Sequence, residues 1–384
     1  MTIAFDVAML VTVLGLALVV VGSIVAARFI SMPGPTSRDC PPVTILRPLC
    51  GDEPLLEEAL ATCCMQEYPA VQIVFGLHDR NDRAMVAVER VRQRFPGADI
   101  AVVVDQTRLG TNPKVANLMN MLPAARYDVL AISDSDLHLA PDYLTRLVGA
   151  LNDPRIGLVT APYLGRVARP AIASWLGVSA IDYGFLPSFL LARALGRRDC
   201  LGSTMMLRRA TLDRAGGFDS VVNCLAEDNI LGQRVRALGL EVALAHTMPR
   251  TTVAETSLRA LWSHERRWMQ TIRSVAPPAG LAFSVLQYPL FWAALAFAFS
   301  GGAGSSFLYY LATWAVRGLA AFVVTRAARP SIPSTDALWS ILLLPLREIL
   351  TVLEIAASYS SRTVLWRNQA MTVSGGGTLA YPPG

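Results

Sequence analysis

The pattern of apolar and polar positions changes rhythm along the chain, and each rhythm predicts a different kind of element. Val7 to Ala27, VAMLVTVLGLALVVVGSIVAA, is an uncharged run long enough to cross a bilayer of about 30 Å as a helix. A cleavable signal peptide would have a shorter apolar region, preceded by Lys or Arg and followed by a small-residue cleavage site. Here the run follows Asp6 and precedes Arg28, Arg38 and Arg47, so the expectation is an uncleaved anchor with the following residues cytoplasmic by the positive-inside rule. After a linker, SMPGPTSRDCPP, short apolar runs of strand type (VTIL, VQIVFGL, DIAVVV, VLAIS and IGLVTA) alternate with helical periodicity near 56–66, 82–95, 113–122 and 141–151. That alternation predicts an α/β fold with a mostly parallel sheet covered on both faces, right-handed crossovers, and ligands beyond the carboxyl ends of the strands.

The second half is less regular. TSLRALWSHERRWMQTIRS reads as an amphipathic helix, and apolar spans follow near 279–299 and 306–325. A further apolar stretch, 337–357, is interrupted by Pro345, Arg347 and Glu348, which predicts a re-entrant or interfacial hairpin, or a helix facing protein rather than lipid. Ile172 to Leu195 is nearly devoid of charge and is either buried core or a membrane-dipping segment that receives a lipid tail. The expected organisation is an anchor at 1–30, a cytoplasmic α/β domain at 31–275, a membrane region at 276–358 and a tail at 359–384.

Composition sharpens this picture. With 384 residues, 53% hydrophobic, and a mean hydropathy of +0.41, the chain is too apolar for an ordinary cytosolic enzyme and has material for one soluble core plus several membrane segments. The net charge of +5 is spread along the chain without a basic stripe interleaved with aromatics, which argues against nucleic acid and for a membrane surface or an anionic substrate. Among 34 Lys and Arg residues there is a single lysine, Lys114, in LGTNPKVANLMNMLP. Either drift left it there or the site needs a compact ammonium rather than a planar fork. The six cysteines form no CxxC pair and no zinc-like spacing, so they are expected to be reduced and mostly buried.

Candidate chemistry lies at strand ends. VFGLHDRND delivers Asp79 and Asp82, GADIAVVVD begins with Asp99 and ends with Asp105, and VLAISDSD delivers Asp134 and Asp136. An isolated strand-end Asp ordinarily makes a turn or a helix N-cap, the reading for Asp82 and Asp105. Asp136 could also cap the helix that APDYL opens. Asp134 and Asp136, one residue apart after a buried strand, repel each other unless a cation neutralises them. Mg²⁺ or Mn²⁺ takes oxygen from one or two carboxylates and completes its shell with water and substrate phosphates. NCLAEDNILGQRV places Glu227 and Asp228 at a helix start, where the dipole favours negative charge, though capping accounts for only one of them. In the amphipathic helix, His264, Arg266, Arg267, Trp268 and Arg273 are either interfacial anchors or partners for diphosphate oxygens.

Taken in order, TNPK, SDSD, AED and HERRW, with RPLCG after the first strand and LRRATLDRAGGF before the last acids, resemble the ceramide glucosyltransferase family of membrane glycosyltransferases. The resemblance covers nearly the whole chain and is nearest the bacterial branch that glycosylates hopanoid lipids. It implies a GT-A nucleotide-sugar domain, Rossmann-like, with N- and C-terminal transmembrane helices. By correspondence, Asp99 is the first acid, Asp134 opens the metal-binding motif, and Asp228 is the catalytic base. His264, Arg267 and Trp268 match the final motif, where His264 departs from the usual Gln or Arg. Asp79 falls where related enzymes hold the uracil or ribose, and Lys114 falls in the family's Asn-Pro-Lys stretch. VLWRNQAMTV resembles a terminal Trp-Arg-Gly pattern, with Asn368 in place of the glycine.

The implied reaction is transfer from a UDP-sugar to the hydroxyl of a membrane lipid with inversion, assisted by Mg²⁺ or Mn²⁺ at Asp134 and Asp136. The implied pair is UDP-N-acetylglucosamine and bacteriohopanetetrol, or else UDP-glucose and ceramide. The implied location is the bacterial inner membrane with a cytoplasmic catalytic domain. A processive polysaccharide synthase would share the acids and the Arg-Trp motif but needs a translocation channel, for which the expected spans are few. A transporter rests only on Arg347 and Glu348 and leaves the strand-end acids unexplained.

Overall fold

The computed structural model describes residues 3–35, 37, 39–277, 279–328, 335–361, 363–366, 369–373 and 377–380. Arg38 and Asn368 lie outside them. Helix α1 (Ile3–Ser31) is followed by β1 (Val43–Pro48), α2 (Leu56–Cys64), β2 (Val71–Leu77), α3 (Ala84–Arg94), β3 (Asp99–Val104), α4 (Pro113–Met121) and β4 (Val129–Ser133). Next come β5 (Leu137–His138), α5 (Tyr143–Leu151), β6 (Ile156–Thr160) and β7 (Leu164–Val167), then α6 (Ile172–Ser179) and α7 (Leu186–Ala194), joined by a π-helical turn over Ala180–Phe185. They lead to β8 (Thr204–Arg208), α8 (Arg209–Arg214), α9 (Glu227–Ala237), β9 (Glu241–Leu244) and β10 (Arg250–Val253). The rest comprises α10 (Leu258–Val275), α11 (Gly280–Phe283), α12 (Pro289–Phe299), α13 (Gly304–Ala328), α14 (Thr335–Leu342), α15 (Leu344–Ser358), β11 (Thr363–Trp366), β12 (Gln369–Val373) and β13 (Leu379–Ala380).

Contacts divide the chain into two units. The sheet unit comprises Met32–Ala168, Arg198–Thr252 and Leu365–Gly384, and the apolar-helix unit comprises Met1–Ser31, Arg169–Arg197 and Val253–Val364.

In the sheet unit, every predicted apolar run forms a strand. The order is β3-β2-β1-β4-β8-β6-β9, with β1 to β4 parallel and β8 antiparallel to both its neighbours. The runs lack polar alternation because both faces are covered. Val43 and Ile45 of β1 enter one core with Phe75, Leu60, Val88 and Leu147, while Leu46 enters the other with Val74, Ile132, Leu118 and Leu231. The chain runs outward from β1 through β2 and β3, then returns to the other side of β1 as β4. Strand order therefore reverses between β1 and β4, the place where a doubly wound sheet opens a ligand crevice at its carboxyl end.

In the apolar-helix unit, three helices among the described residues are long and apolar enough to cross a membrane: α1, the continuous Ile172–Ala194 and α13. Ile172 to Leu195 thus belongs with the apolar helices and not with the core of the sheet. The expected straight span at 279–299 is instead broken, since the helical segments Gly280–Gln287 and Pro289–Phe299 meet at 72°. Pro289 cannot continue a preceding helix and opens a new one. The stretch at 337–357 becomes α14 and α15, and its charges face protein. Arg347 binds Glu265 and Glu354, each at 2.6 Å, and Glu348 binds Arg317 at 2.9 Å.

Two expectations need revision. Arg47 is no juxtamembrane charge, because it is fully buried in β1. The cysteines are all reduced, but only Cys63 and Cys200 are buried, Cys64 and Cys224 are half-buried, and Cys40 and Cys50 are exposed.

Candidate active site

The crevice between β1 and β4 is built from strand-end residues. β4 ends at Ser133, so Asp134 emerges at the carboxyl edge with its backbone N–H bonded to the Ser203 carbonyl at 3.2 Å. The turn that follows is held from below by Arg47, whose guanidinium donates to the Ser135 carbonyl at 3.1 Å, to the Leu137 carbonyl, and to the Cys63 sulfur at 2.8 Å. From the β1 loop, Glu53 accepts from the Ser135 hydroxyl at 2.6 Å. Thr251 of β10 donates to the Asp136 carboxylate, which brings a strand far along the chain to the motif.

Lys114 stands at the start of α4, whose N-cap Asn112 accepts from the backbone N–H groups of Lys114 and Val115. The Lys114 ammonium reaches Asp134 at 2.6 Å, Glu227 at 3.2 Å and the Gly202 carbonyl at 3.0 Å. Asn112 also holds Glu227 through its side-chain amide at 3.2 Å. The acids of β4 and α9 are thus joined through one lysine. Burial alone would lower the Lys114 pKa, but Asp134, Glu227 and Asp228 hold it raised.

Asp228 lies in the first turn of α9, capped by the N–H of Asn229 at 2.7 Å. A Cβ on Gly202 would sit 2.9 Å from its Oδ2, so only glycine permits this approach. Burial first and Glu227 second push the Asp228 carboxyl above the usual range, against the pull of Lys114. Asp136 is pushed up to about 6 by burial, then by Asp134 and Glu53. This surplus of negative charge around Glu53, Asp134 and Asp136 fits a divalent cation. Among the described residues no three His, Cys, Asp or Glu side chains could hold a metal by themselves.

Not every expected residue joins this group. Asp99 does not: it opens β3 at the amino edge of the parallel sheet, opposite Gln72 of β2, and is ion-paired with Arg126. Its place as the first acid is corrected, because ligands collect at the carboxyl edge. Asp79 does lie past the carboxyl end of β2, exposed, and accepts from the Asn81 N–H at 2.9 Å. Asp82 and Asp105 make the turn bonds expected of them, to Ala84 and Thr107. Within the other unit, α10 presents His264 beside Glu255, with its ring 5.0 Å from that of Trp268, while Arg267 is half-buried.

Sequence reasoning passed over Glu53, Arg47, Thr251 and Tyr163. Glu53 could have been noticed as an acid in the loop after the first strand. Tyr163 carries no local signal, yet its phenol is pushed up by burial and then by Asp136, Asp134 and Asp228.

Comparison with known proteins agrees with this fold. The mannosyltransferase PcManGT from Pyrobaculum calidifontis, solved with GDP-Man and Mn²⁺, superimposes with a TM-score of 0.52 at 18% identity, covering 92% of this chain and 99% of that one. The likeness shows the GT-A fold. Ceramide glucosyltransferase 1 of Caenorhabditis elegans is 22% identical over 249 residues, 64% of this chain and 52% of its own length. The ceramide glucosyltransferase of Gibberella zeae is 32% identical over 136 residues, 33% of this chain and 26% of its own. The chain therefore spans at most about half the length of these curated relatives. The family model "Glycosyl transferase family 21" matches residues 7–379, and the chain belongs to that family.

Proposed function

We propose that this protein moves a sugar from a UDP-sugar to a hydroxyl of a membrane lipid with inversion, at the crevice between β1 and β4. The observation that carries the reading is the Lys114 bridge, which ties the DSD turn at Asp134 to the acid pair that opens α9. Asp134 and Asp136 are the residues to hold Mg²⁺ or Mn²⁺, which when bound supplies Lewis acidity at the departing diphosphate. Glu53 and Arg47 hold the DSD turn in shape for that task. Asp79, at the same edge of the sheet, is assigned to the uracil or ribose.

Asp228 is assigned as the base that takes the acceptor hydroxyl proton as the oxygen attacks C1. Its raised pKa suits that role, because a base with higher proton affinity accepts more readily once ionised. Lys114 keeps the neighbouring acids paired while Asp228 works. The family resemblance assigns Arg267 and Trp268 to the donor diphosphate, with His264 in the position that varies.

The apolar helices support a membrane-bound enzyme; the cytoplasmic side for its catalytic unit rests on the charge that follows α1, and the bacterial inner membrane on the sequence resemblance. For the substrate pair, that resemblance supports UDP-N-acetylglucosamine and a hopanoid. The curated relatives, named ceramide glucosyltransferases, support UDP-glucose and ceramide. Purified membranes incubated with each UDP-sugar and each lipid, followed by mass spectrometry of the lipid, separate the pairs. A single added sugar residue, N-acetylhexosaminyl from UDP-N-acetylglucosamine or hexosyl from UDP-glucose, that disappears in excess chelator and in Asp134→Ala is the expected result. No lipid product from any pair, a polymeric product, or full turnover in chelator overturns it.

A further inference from the structure

The apolar-helix unit contains a cavity of about 140 Å³ lined by residues that include Leu18, Tyr183, Pro187, Leu191, Gln287 and Arg317. Its rim reaches the outer surface, since Leu18 and Leu195 of the lining are exposed. The walls are mostly apolar, yet one wall residue is a guanidinium that is only 3% exposed. Arg317 lies about midway along α13, a helix apolar enough to span a membrane. Its Nε donates to Glu348 at 2.9 Å and one terminal nitrogen donates to the Tyr183 carbonyl at 2.8 Å. The other terminal nitrogen, Nη1, is buried and has no hydrogen-bond partner among the described residues. A charge at such depth is costly and ordinarily marks a site that uses it, and a buried donor without an acceptor costs further.

We infer that this cavity is a lipid-binding site in which Arg317 donates to an oxygen of the lipid, an ester or amide carbonyl or a hydroxyl, while the apolar wall receives the adjoining carbons. The volume admits only a short piece of the molecule, since a cavity of about 150 Å³ holds a benzene ring. The remaining chain therefore lies outside along the exposed apolar face of α1. Glu348 neutralises Arg317, so the site does not demand an anion. Local structure prepares the contact. The π-helical turn at Ala180–Phe185 separates α6 from α7 and carries the Tyr183 carbonyl that orients the guanidinium, and the Ser188 hydroxyl, with one proton to share, lies 2.8 Å from the Gly184 carbonyl and 2.7 Å from the Gln287 side-chain oxygen. The inference rests on the membrane-bound reading above but not on the transfer reaction.

The test uses the full chain in phosphatidylcholine nanodiscs with two photoreactive probes, each bearing a diazirine a few carbons from its polar group. One is a phosphatidylcholine and the other is a long-chain hydroxylated amide. Saturable labelling of peptides around 18–19 and 183–195 is expected, with mass spectrometry as the readout and no donor sugar present. Arg317→Gln should cut labelling about tenfold, the size of a hydrogen bond to a charged group. Because that change leaves Glu348 without its partner, Gly184→Leu provides a second variant. Gly184 lines the cavity and a Cβ there meets nothing within 4 Å, so this change alters the lining while leaving both members of the ion pair in place. Competition between the probes tells a bulk phospholipid from a hydroxylated acceptor, and either occupant supports the site. Labelling spread evenly over the lipid-facing helices, or unchanged in a folded Gly184→Leu protein, overturns it. Failure of transfer with intact labelling would count against the proposed reaction alone.

Discussion

At the scale of single residues, the ammonium of Lys114 meets three acceptors at once: Asp134, Glu227 and the Gly202 carbonyl. Three donors on a compact tetrahedral group match that arrangement, whereas a planar guanidinium does not. Lys114→Arg is therefore expected to lower kcat/KM by about tenfold or more, the size of one lost charge-assisted hydrogen bond, with an unchanged melting profile. Normal kinetics in that variant would return the lone lysine to drift. Asp228 gives the second prediction. As a base it works ionised, so activity should rise with pH through its folded pKa, which burial and Glu227 place above an ordinary aspartate near about 3.9. Lys114 pulls that pKa down, so Lys114→Gln should move the acid limb of the pH–rate profile to higher pH, while Lys114→Arg leaves it in place. Asp228→Asn should lose about 10²-fold or more in turnover while keeping UDP binding. If UDP binding vanishes and turnover persists, the assignment of Asp228 as base fails.

At the scale of elements, the last described strand acts as a strap on the loops that carry the site. The Leu225 N–H donates to the Gly377 carbonyl at 2.9 Å, the Leu379 N–H donates to the Asn223 carbonyl at 2.7 Å, and Thr111 donates to the Leu379 carbonyl at 3.3 Å. β13 is itself held by β12 through the pairs Thr372–Ala380 and Val373–Leu379. The strap thus joins the approach to α4 to the approach to α9, the elements bearing Lys114 and Asp228. Ending the chain at Val373 should speed amide exchange at 223–226 by about tenfold, given about 1 kcal/mol per lost backbone hydrogen bond, and should lower turnover. Exchange and turnover equal to those of the full chain would show that the strap does not support the site. The first strands were readable because double burial turns β1, β2 and β4 into largely apolar runs, with Thr44 and Gln72 buried and hydrogen-bonded to each other. β5, β7 and β10 were not, because such short strands depend on partners distant in sequence, as in the pairing of Thr251 with Leu137.

At the scale of the whole molecule, membrane attachment can be tested through exposed thiols. Cys40 and Cys50 are exposed thiols in the sheet unit. If that unit is cytoplasmic, a membrane-impermeant maleimide should label them in inverted inner-membrane vesicles and leave them unlabelled in intact spheroplasts. The opposite pattern would reverse the proposed orientation. The chain should also stay with the membrane pellet in alkaline carbonate, as expected when helices cross the bilayer rather than rest on its surface.

The sequence by itself determined the class of sheet, the apolar helices and the family, and it marked the candidate acids, because those depend on short-range facts: periodicity, apolar length, and acids adjacent to strand ends. The position of Asp99 at the start of the DIAVVV run was already legible, and its place as the first acid came from the family correspondence alone; β3 begins there, with Arg126 beside it, at the edge away from the site. The sequence could not tell that Arg47 lies beneath the DSD turn rather than at the membrane. The bend at Pro289 and the inward turn of Arg347 and Glu348 likewise depend on which neighbours are available to accept their polar groups. Pairing of charges across long stretches of chain is decided by packing, where a buried ion is tolerated only if another element delivers its partner. Lys114 shows both levels: its rarity is visible in the sequence, but its function as a bridge exists only once α4, β4 and α9 converge on it.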